Sequence, residues 1–464
     1  MTDFKNVYFI GIGGIGMSSL ARYFREQGKK VAGYDRTETA LTRSLEREGI
    51  PVHYEEDMQK VDAAFLNPSD TLVVFTPAVP AGHSELVYFR EHGFEVLKRS
   101  QILGAVTEGK YVMAVAGTHG KTTTTTMTAW FNALAADDKN GEVGGGYAFL
   151  GGISKNFDSN LVLGRGRRVA VEADEFDRSF LRLYPDVALV TSVDADHLDI
   201  YKNHESLKES FSQFVSQIKK GGVLVYRKGI DLRIENKEIK IYTYSLDDVA
   251  SDFHAVNLVC DETGSYHFDI VCPDRVIEGC KLGIPGHINV ENCVGAVSLL
   301  WVAGFDEEKL KEAIASFSGV KRRFDFYINT PSLVYMDDYA HHPRELRAAI
   351  ESVREMFPGR KVTAVFQPHL YTRTRDFADG FAESLSLVDE LLLIPIYPAR
   401  EEPIEGVSSR MILDKVAIPN KRLVPKTELM GVLEKMDLDI LITFGAGDID
   451  AFCEPIYNLL KQKR

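Results

Sequence analysis

The sequence has no long hydrophobic run and few cysteines for its length. No stretch of about 18 apolar residues occurs, so no segment is expected to cross a bilayer as a helix. The five cysteines form no CxxC pair, and an odd number in a chain of 464 residues does not build a disulfide framework. The amino terminus also lacks the basic and apolar regions of a signal peptide. We therefore expect a cytoplasmic protein with reduced cysteines in its core.

Positive charge is scarce as well. The chain has 54 Lys and Arg against 67 Asp and Glu, which gives a net charge of −13. Sequence-independent binding of nucleic acid needs positive charge against the phosphates, so this class of partner is disfavoured. The composition, with 45% hydrophobic and 26% charged residues, is that of a globular enzyme. The length predicts about three domains, and the sequence leaves open a monomer or a homodimer.

Short apolar runs alternate with amphipathic stretches along most of the chain. This alternation is typical of parallel α/β units, and it restarts at residues 111–116 and again near residue 322. Between residues 222 and 285 the pattern changes to alternating polar and apolar positions, which predicts antiparallel strands. Polar residues and glycines follow the strands, where open α/β sheets bind ligands, so we expect three α/β domains to face one cleft.

The first strand ends in the glycine-rich loop Gly11-Ile12-Gly13-Gly14-Ile15-Gly16. Backbone N–H groups at the start of the following helix could hold a pyrophosphate. Asp35 ends the next strand, where a carboxylate could accept a hydrogen bond from a ribose hydroxyl. The alternative is a tight turn without a ligand. The loop indicates a diphosphate, and it does not by itself indicate a nicotinamide cofactor.

A second loop, Ala116-Gly117-Thr118-His119-Gly120-Lys121-Thr122, follows the strand at residues 111–116. Lys121 would reach a terminal phosphoryl group and Thr122 would bind magnesium, although Val115 departs from the strict Walker A pattern. A chance Gly-Lys-Thr is the alternative. Two such loops predict two phosphorylated ligands, and a simple dehydrogenase does not need the second.

Two acidic clusters follow later strands of the central region. Magnesium prefers oxygen ligands, so carboxylates at neighbouring strand ends are candidates. Glu172 is the first acid after its strand and is the preferred ligand, while His197 could complete a second metal position. Solvated turns and helix caps are the alternative for each acid. The clusters contain Glu172, Asp174, Glu175 and Asp177, and Asp194, Asp196, His197 and Asp199.

The last third of the chain carries basic and histidine-rich segments. The segment 321–324, KRRF, could neutralise charge on ATP phosphates or could be a solvated basic linker. Asp338 is placed for a ribose hydroxyl and His341 for substrate or phosphate, although part of this motif could be a helix cap. Arg373 and Arg375 could bind a carboxylate, or they could be surface charges.

Together these motifs resemble the Mur ligases of peptidoglycan synthesis, in family order and over nearly the whole chain. Within the family they most closely resemble the members that attach L-alanine to UDP-N-acetylmuramate. The matching segments are GIGGIGMS (11–18), AGTHGKTTTT (116–125), EADEFDRSFL (172–181), DADHLD (194–199), PGHINVEN (285–292), RRFD (322–325), DDYAHHP (337–343) and QPHLYTRTRDF (367–377).

The resemblance implies three α/β domains. A Rossmann-like domain over 1–107 would bind the UDP-sugar, and a P-loop ATPase-like domain with additional antiparallel strands would span 108–321. A Rossmann-like domain over 322–464 would contribute contacts to ATP and the amino acid. ATP as cosubstrate, Mg²⁺, and the substrates UDP-N-acetylmuramate and L-alanine follow from the same resemblance.

The resemblance also assigns roles to individual residues. The UDP-sugar would contact Gly11, Gly13, Gly14, Ile15, Gly16, Asp35 and Thr76. ATP would contact Gly117, Thr118, His119, Gly120, Lys121, Thr122, Thr123, Asn289, Asn292, Arg323 and Asp338. Magnesium would be held by Thr122, Glu172 and His197, and the amino acid by Tyr339, His341 and Arg373. The catalytic group would be Lys121, Glu172, His197, His341 and Arg373.

Two positions depart from the family pattern. Ile288 stands where a histidine is usual, so that contact is absent or comes from His287. Leu370 replaces a usual arginine, and Arg373 would then carry more of the contact with the amino-acid carboxylate. The family reaction activates the sugar carboxylate as an acyl phosphate, which the amine then captures. The alternatives are a ligase that adds a ready-made tripeptide, an NAD-dependent oxidoreductase, and a nucleotide-gated binding module.

Overall fold

The structure is a computed structural model that describes residues 4–136, 145–194, 201, 203–261, 264–399 and 401–463. The chain forms two compact units. None of the described helices has both the length and the apolar composition that a membrane span requires. Unit one consists of Met1–Asn257, Phe268–Lys281 and Glu291–Ser318, and unit two of Leu258–His267, Leu282–Val290 and Gly319–Arg464.

Unit one begins with a five-stranded parallel sheet. Runs such as VYFI supply the β-branched and aromatic side chains that a sheet buried on both faces needs. Its strand order, β3-β2-β1-β4-β5, is that of a Rossmann-like sheet. The strands are β1 (Asn6–Ile10), β2 (Lys30–Tyr34), β3 (Val52–His53), β4 (Thr71–Phe75) and β5 (Glu95–Lys98). The helices are α1 (Ile15–Glu26), α2 (Ala40–Arg47), α3 (Ser84–Glu91) and α4 (Arg99–Thr107).

A seven-stranded sheet forms the centre of unit one, with the order β12-β11-β10-β6-β9-β7-β8. The β7 and β8 pair is antiparallel, and the other pairs are parallel. The strands are β6 (Tyr111–Ala116), β7 (Tyr147–Ser154), β8 (Ser159–Val162), β9 (Arg168–Ala173), β10 (Val187–Val190), β11 (Val223–Arg227) and β12 (Lys240–Tyr244). Helices α5 (Lys121–Ala135) and α6 (His204–Ser216) lie between them in the chain.

A three-stranded sheet, in the order β13-β14-β15, follows along the chain. Its strands are β13 (His254–Cys260), β14 (Tyr266–Cys272) and β15 (Arg275–Lys281), and they are followed by helices α7 (His287–Ala303) and α8 (Glu307–Ser316). The prediction of antiparallel strands over 222–285 is wrong for β11 and β12, which pair in parallel. Residues 228–239 connect these two strands, and a connection of about a dozen residues is long enough for a parallel crossover.

One apolar core joins the first and second sheets of unit one. Phe9 of β1, Leu20 of α1 and Val169 of β9 are all buried in it. Asn160 of β8 adds polar contacts, because its side-chain amide donates to the carbonyl oxygen of Ile15 at 2.6 Å and to Ser18 Oγ at 2.9 Å. The glycine loop that precedes α1 therefore has a fixed position relative to the second sheet.

Unit two is built on a six-stranded sheet with the order β16-β17-β21-β18-β19-β20. The β16 and β17 pair is antiparallel, and the remaining pairs are parallel. The strands are β16 (Asp325–Thr330), β17 (Leu333–Asp338), β18 (Val362–Phe366), β19 (Glu390–Leu393), β20 (Lys421–Leu423) and β21 (Ile440–Phe444). The helices are α9 (Pro343–Met356), α10 (Tyr371–Asp376), α11 (Ala378–Leu385), α12 (Ser409–Leu413), α13 (Leu429–Glu434) and α14 (Cys453–Gln462).

The predicted fold class is confirmed, since three α/β parts each surround a mostly parallel sheet. The cysteines are free thiols, as predicted. Their predicted place in the core is confirmed for four of them and is wrong for Cys260, which is exposed. Cys260 is the last residue of β13, and the last four residues of this strand are exposed or half-buried.

Helix α5 contains five consecutive threonines, Thr122 to Thr126. Threonine is β-branched and does not favour a helix. Here the hydroxyls of Thr125, Thr126 and Thr128 donate to carbonyl oxygens four residues earlier, at 2.8, 2.7 and 2.8 Å. The helix packs on β7, β9 and α8, so its polar side chains are buried with their hydrogen bonds satisfied. Tertiary packing, and not intrinsic propensity, holds this helix.

Candidate functional site

The first glycine loop turns from β1 into α1 and is closed by neighbouring strands. Gly11 has φ +86°, and a methyl group there would lie 2.6 Å from Thr76 Cγ2. The N–H of Gly13 donates to Asp35 Oδ2 at 2.7 Å, and Asp35 Oδ1 accepts from the N–H of Thr37 at 3.1 Å. The structure therefore brings the loop, Asp35 and Thr76 together, and Asp35 also braces the loop.

Arg99, the first residue of α4, lies beside the same loop and was missed by the sequence analysis. A methyl group at Gly16 would lie 2.9 Å from Arg99 Nη1. The guanidinium also donates to Asp174 Oδ2 at 3.2 Å. The sequence offered one signal for this residue. Arg99 is a basic residue directly after β5, and the carboxyl end of this strand lies at the same sheet edge as the loop. A cavity of about 220 Å³ runs from the loop to the end of β9, and its walls include Gly14, Gly16, Thr76, Arg99, Glu172 and Asp174.

The second glycine loop turns from β6 into α5, and neighbouring residues leave almost no free space beside Gly117. Gly117 has φ +137°, and a methyl group there would lie 2.0 Å from Thr191 Oγ1. Ser192 Oγ contacts Thr118 Oγ1 at 2.9 Å and accepts from the N–H of His119 at 2.8 Å. Thr191 and Ser192 directly follow β10, so the neighbouring strand end fixes the loop. Sequence reasoning missed both residues, because small hydroxyl side chains carry no distinctive pattern.

Lys121 begins α5 and lies in an acidic environment. Its ammonium pairs with Glu175 at 2.8 Å and donates to the carbonyl oxygen of Gly117. Burial disfavours the charged lysine, but Glu175, Asp174 and Glu172 outweigh burial and raise its pKa. Lys121 is therefore a cation held at the loop before any phosphate is present.

Two further predicted ATP contacts, Asn289 and Asn292, lie on α7. Asn292 Oδ1 accepts from Thr124 Oγ1 at 3.2 Å, and a methyl group at Gly120 would lie 2.9 Å from the same oxygen. The structure thus brings Asn292 to the second loop. The side chain of Asn289 donates to the carbonyl oxygen of Pro285 at 2.6 Å. Ile288, the departure from the family pattern, is 39% exposed.

Two of the three predicted magnesium ligands, Glu172 and Thr122, offer the oxygen atoms that suit a hard cation. Glu172 lies in β9 opposite Val115 of β6, so its carboxylate projects near the start of the second loop. It rests on the backbone of β7, since a methyl group at Gly151 would lie 2.2 Å from Glu172 Oε2. Thr122 is buried in the first turn of α5. A carboxylate and a hydroxyl are oxygen donors of the type magnesium prefers. His197, Asp196 and Asp199 lie outside the described residues.

The remaining acids after β9 contact cations. Asp174 pairs with Arg99, Glu175 with Lys121, and Asp177 Oδ2 with Lys98 Nζ at 2.9 Å. Asp177 and Arg178 have left-handed backbone conformations, with φ 52° and 53°. The sequence pattern did not reveal this kink, which lies inside short 3-10 turns and includes Asp177.

A buried polar cluster lies beneath the first loop. The hydroxyl of Tyr8 lies 2.8 Å from Glu85 Oε2 and 2.7 Å from His53 Nε2. His53 Nδ1 donates to the carbonyl oxygen of Glu55 at 2.9 Å. Tyr8 has one proton and cannot donate in both directions, so the cluster keeps an additional proton on Glu85 or His53. Burial raises the pKa of Glu85 to about 7.

In unit two, Asp338 ends β17 and is held by backbone groups. Its carboxylate oxygens accept from the N–H groups of Phe324 at 2.6 Å and Ala340 at 2.7 Å. Burial raises the pKa of Asp338 to about 6, against the opposing effect of Arg323. Arg323 stacks on the ring of Tyr339, with 4.7 Å between its Cζ atom and the ring centroid. Asp338, Arg323 and Tyr339 are thus brought together.

The basic segment 321–324 divides into two roles. Arg322 pairs with the fully buried Asp337 at 2.8 Å and donates to the carbonyl oxygen of Gly445 at 2.6 Å. The attraction to Asp337 outweighs burial and keeps the pKa of Arg322 above its ordinary value. Arg322 is therefore a structural cation, and the alternative of a solvated linker does not apply to it. Arg323 remains the phosphate candidate.

The residues predicted to bind the amino-acid substrate lie near one another in unit two. His341 Nδ1 donates to the carbonyl oxygen of Tyr339 at 3.0 Å. The ring of His341 lies 6.1 Å from that of His369, whose Nδ1 is 3.4 Å from Arg373 Nη1. His369, which no sequence argument had assigned, thus links His341 to Arg373. Leu370, which stands where the family usually has an arginine, is buried. This group of side chains therefore has one cation fewer than is usual in the family.

The two glycine loops, the buried lysine and the acidic strand end are the features of a nucleotide-dependent α/β enzyme. Family models match most of the chain: the Mur ligase family catalytic domain over 6–111, the Mur ligase middle domain over 115–300, and the Mur ligase glutamate ligase domain over 322–447. The chain belongs to the Mur ligase family.

Relatives with high identity extend over the full length. A UDP-N-acetylmuramate--L-alanine ligase of Parabacteroides distasonis is 51% identical over 98% of this chain and 97% of its own. The ligase of the same name from Flavobacterium johnsoniae is 45% identical over 100% and 99%. The crystal structure of UDP-N-acetylmuramate-alanine ligase from Thermotoga maritima matches with a TM-score of 0.81 and 26% identity, covering 99% of this chain and 100% of that one.

Proposed function

We propose that this protein is an ATP-dependent ligase that joins L-alanine to the carboxylate of UDP-N-acetylmuramate in the synthesis of peptidoglycan precursors. The full-length identity to ligases of that name supports the pair of substrates. The observation that carries the chemistry is the presence in unit one of two glycine loops, one braced by Asp35 and one that carries Lys121. The need for ATP supports a reaction in the cytoplasm, and the protein would act as a monomer or a homodimer.

The sugar carboxylate attacks the γ-phosphorus of ATP and gives an acyl phosphate and ADP. The amine of L-alanine then attacks the acyl carbon and releases phosphate, because a carboxylate oxygen is a poor leaving group until it is phosphorylated. The protein contributes positioning and charge neutralisation, and no residue is needed as a nucleophile. Lys121 supplies fixed positive charge beside the γ-phosphate.

Residue roles follow the geometry of each unit. The first loop, Asp35 and Thr76 bind the UDP-sugar in a domain over 1–107. The second loop and Asn292 bind ATP in a domain over 108–321, together with Asn289. Thr122, Glu172 and His197 would hold Mg²⁺, which when bound neutralises phosphate charge. Arg323 and Asp338 in the domain over 322–464 contact ATP, and Tyr339, His341 and Arg373 contact the amino acid.

His341 is the candidate base for the alanine amine. Its Nδ1 proton is engaged by the carbonyl oxygen of Tyr339, so in the neutral ring the lone pair is on Nε2. A lone pair in that position can accept a proton from the ammonium of L-alanine, which leaves the neutral amine free to attack the acyl carbon. Arg373, next to His369, supplies the positive charge that an amino-acid carboxylate needs.

A phosphate-release assay tests the proposal. The purified chain is incubated with ATP, magnesium and UDP-N-acetylmuramate, and L-alanine, glycine, L-serine and the tripeptide are added in separate reactions. We expect the largest kcat/KM with L-alanine. Carboxylate labelled with ¹⁸O should transfer one labelled oxygen to the released phosphate. A preference for the tripeptide would indicate the recycling reaction, and label that stays in the product would refute the acyl phosphate.

A further inference from the structure

A short segment after β9, residues 174–179, contacts both of the ligand sites in unit one. Its acids Asp174, Glu175 and Asp177 each pair with a lysine or arginine. Glu175 faces the second glycine loop, whereas Asp174 and Asp177 face the start of α4 beside the first. This single segment therefore supplies counter-ions to cations at both sites.

At the second loop, Glu175 pairs with the cation that a terminal phosphate would use. Its side chain is fully buried and lies 2.8 Å from the ammonium of Lys121, which is 13% exposed. A terminal phosphate that approaches Lys121 competes with this carboxylate for the same donor. The net attraction between Lys121 and ATP is therefore reduced by the free energy needed to break the ion pair with Glu175.

At the first loop, Asp174 holds the cation that a diphosphate would use. Arg99 Nη2 lies 3.2 Å from Asp174 Oδ2 and 3.4 Å from Ser179 Oγ, while Nη1 lies against Gly16. Lys98, the preceding residue, pairs with Asp177 at 2.9 Å. A diphosphate at the loop would draw Arg99 away from Asp174 by the same competition.

The backbone that follows Glu175 is strained. Asp177 and Arg178 are consecutive non-glycine residues in the left-handed region, which costs about 1 kcal/mol or more for each. The ion pairs hold this conformation, together with the hydroxyl of Tyr201, which donates to the carbonyl oxygen of Glu175. Because Asp174 and Glu175 are adjacent, a backbone shift that breaks one of their ion pairs also displaces the other carboxylate and lowers the cost of losing the second pair.

We propose that segment 174–179 couples the two sites, and that Asp174 and Glu175 are positioning residues that act through Arg99 and Lys121. The inference rests on the proposed assignment of the UDP-sugar to the first loop and ATP to the second. Whichever ligand binds first releases the segment, so the second binds more tightly. Because coupling free energies are reciprocal, each ligand strengthens the other by the same factor.

Isothermal titration of the full-length chain tests this inference. A non-hydrolysable ATP analogue with magnesium is titrated with and without saturating UDP-N-acetylmuramate, and the sugar nucleotide is titrated with and without the analogue. We expect each ligand to tighten the other about tenfold in the wild type. In Glu175→Gln and Asp174→Asn, the factor by which each ligand tightens the binding of the other should fall toward one. The Glu175→Gln variant should also bind the ATP analogue alone more tightly than wild type does.

Two controls separate positioning from a structural role. Asp231→Asn removes an exposed acid of unit one that pairs with Lys208, and it should keep the wild-type factor. Glu175→Asp keeps the carboxylate and should retain part of the coupling. A merely structural Glu175 would weaken both ligands and lower the melting temperature without changing the factor. If Glu175→Gln does not fold, Asp174→Asn decides.

The outcomes distinguish this inference from the proposed function. Both ligands binding to the wild type with a factor near one, or factors unchanged in both variants, would overturn the coupling alone. Failure of either ligand to bind the wild type would instead refute the assignment of the loops. The same titrations thus report on each claim separately.

Discussion

The two glycine loops of unit one turn from a strand into a helix in similar ways, yet they acquire positive charge differently. The second carries its own cation, because Lys121 is the first residue of α5. The first has no cation of its own, and Arg99 reaches it from the start of α4. The comparison teaches that a glycine pattern identifies where phosphates are held. It does not identify which side chain neutralises them.

The side chains near the two loops also differ in how they neutralise a buried glutamate. Glu175, near the second loop, has Lys121 as a counter-ion. Glu85, beneath the first, lies against Tyr8 and His53, and burial raises its pKa to about 7. One carboxyl is neutralised by an ion pair and the other by a shared proton. The four predictions below test these contrasts.

Removal of the cation of the second loop should have the largest effect. In Lys121→Met we expect ADP formation to fall by about a thousandfold, while UDP-N-acetylmuramate still binds. The loss follows because the variant lacks the fixed charge beside the γ-phosphate. The double variant with Glu175→Gln avoids leaving a buried carboxylate unpaired and controls for stability. Turnover within tenfold of wild type would contradict the role of Lys121.

A methyl group should distinguish the two loops by their free space. Gly117→Ala places a methyl 2.0 Å from Thr191 Oγ1 at φ +137°, and we expect it to lower the unfolding free energy by about 3 kcal/mol or more. Gly14→Ala meets its nearest neighbour, the carbonyl oxygen of Gly11, at 3.5 Å, so it should cost less than about 1 kcal/mol. Urea denaturation measures both, and equal losses would contradict the contrast.

The shared proton on Glu85 predicts a pH dependence of stability. Its pKa of about 7 in the folded protein lies above the ordinary value of 4.5, so its contribution is complete below pH 4.5 and is lost as pH rises to 7. Glu85→Gln should match wild type near pH 4.5 and exceed its unfolding free energy by about 3 kcal/mol at pH 8. A difference that does not change with pH would refute the shared proton.

Asp35 should have the smallest effect, confined to the first loop. In Asp35→Asn the amide cannot accept from both Gly13 and Thr37, and we expect a loss of about 1 kcal/mol in stability. The KM for UDP-N-acetylmuramate should rise several-fold, because the loop loses its brace. The KM for ATP serves as the internal control, and an equal rise in it would mean that the damage is general.

The sequence predicted the parts of the site that depend on chain-local patterns. Both loops lie where a strand precedes a helix, since glycine spacing and hydrophobic periodicity are local properties. The partners of Lys121 and of Gly16 could not be predicted in this way. Glu175 contacts Lys121 from the segment that follows β9, and Arg99 contacts Gly16 from the start of α4. Neither contact leaves a periodic signal.

Strand direction was the other limit. The alternation around β11 and β12 is shared by half-exposed strands of either direction, so it could not distinguish a crossover from a hairpin. Similarly, cysteine spacing predicted free thiols but not the exposure of Cys260, which depends on its position at the end of a strand. Tertiary context decided both features.

The threonine-rich start of α5 has a consequence for synthesis of the protein on the ribosome. A peptide covering Lys121–Ala135 alone should show little helical circular dichroism in water, because its β-branched residues gain order only against β7, β9 and α8. The second glycine loop, which leads into this helix, is therefore not yet held in place when residue 135 leaves the exit tunnel. That loop takes shape only after the later strands and α8 have been translated.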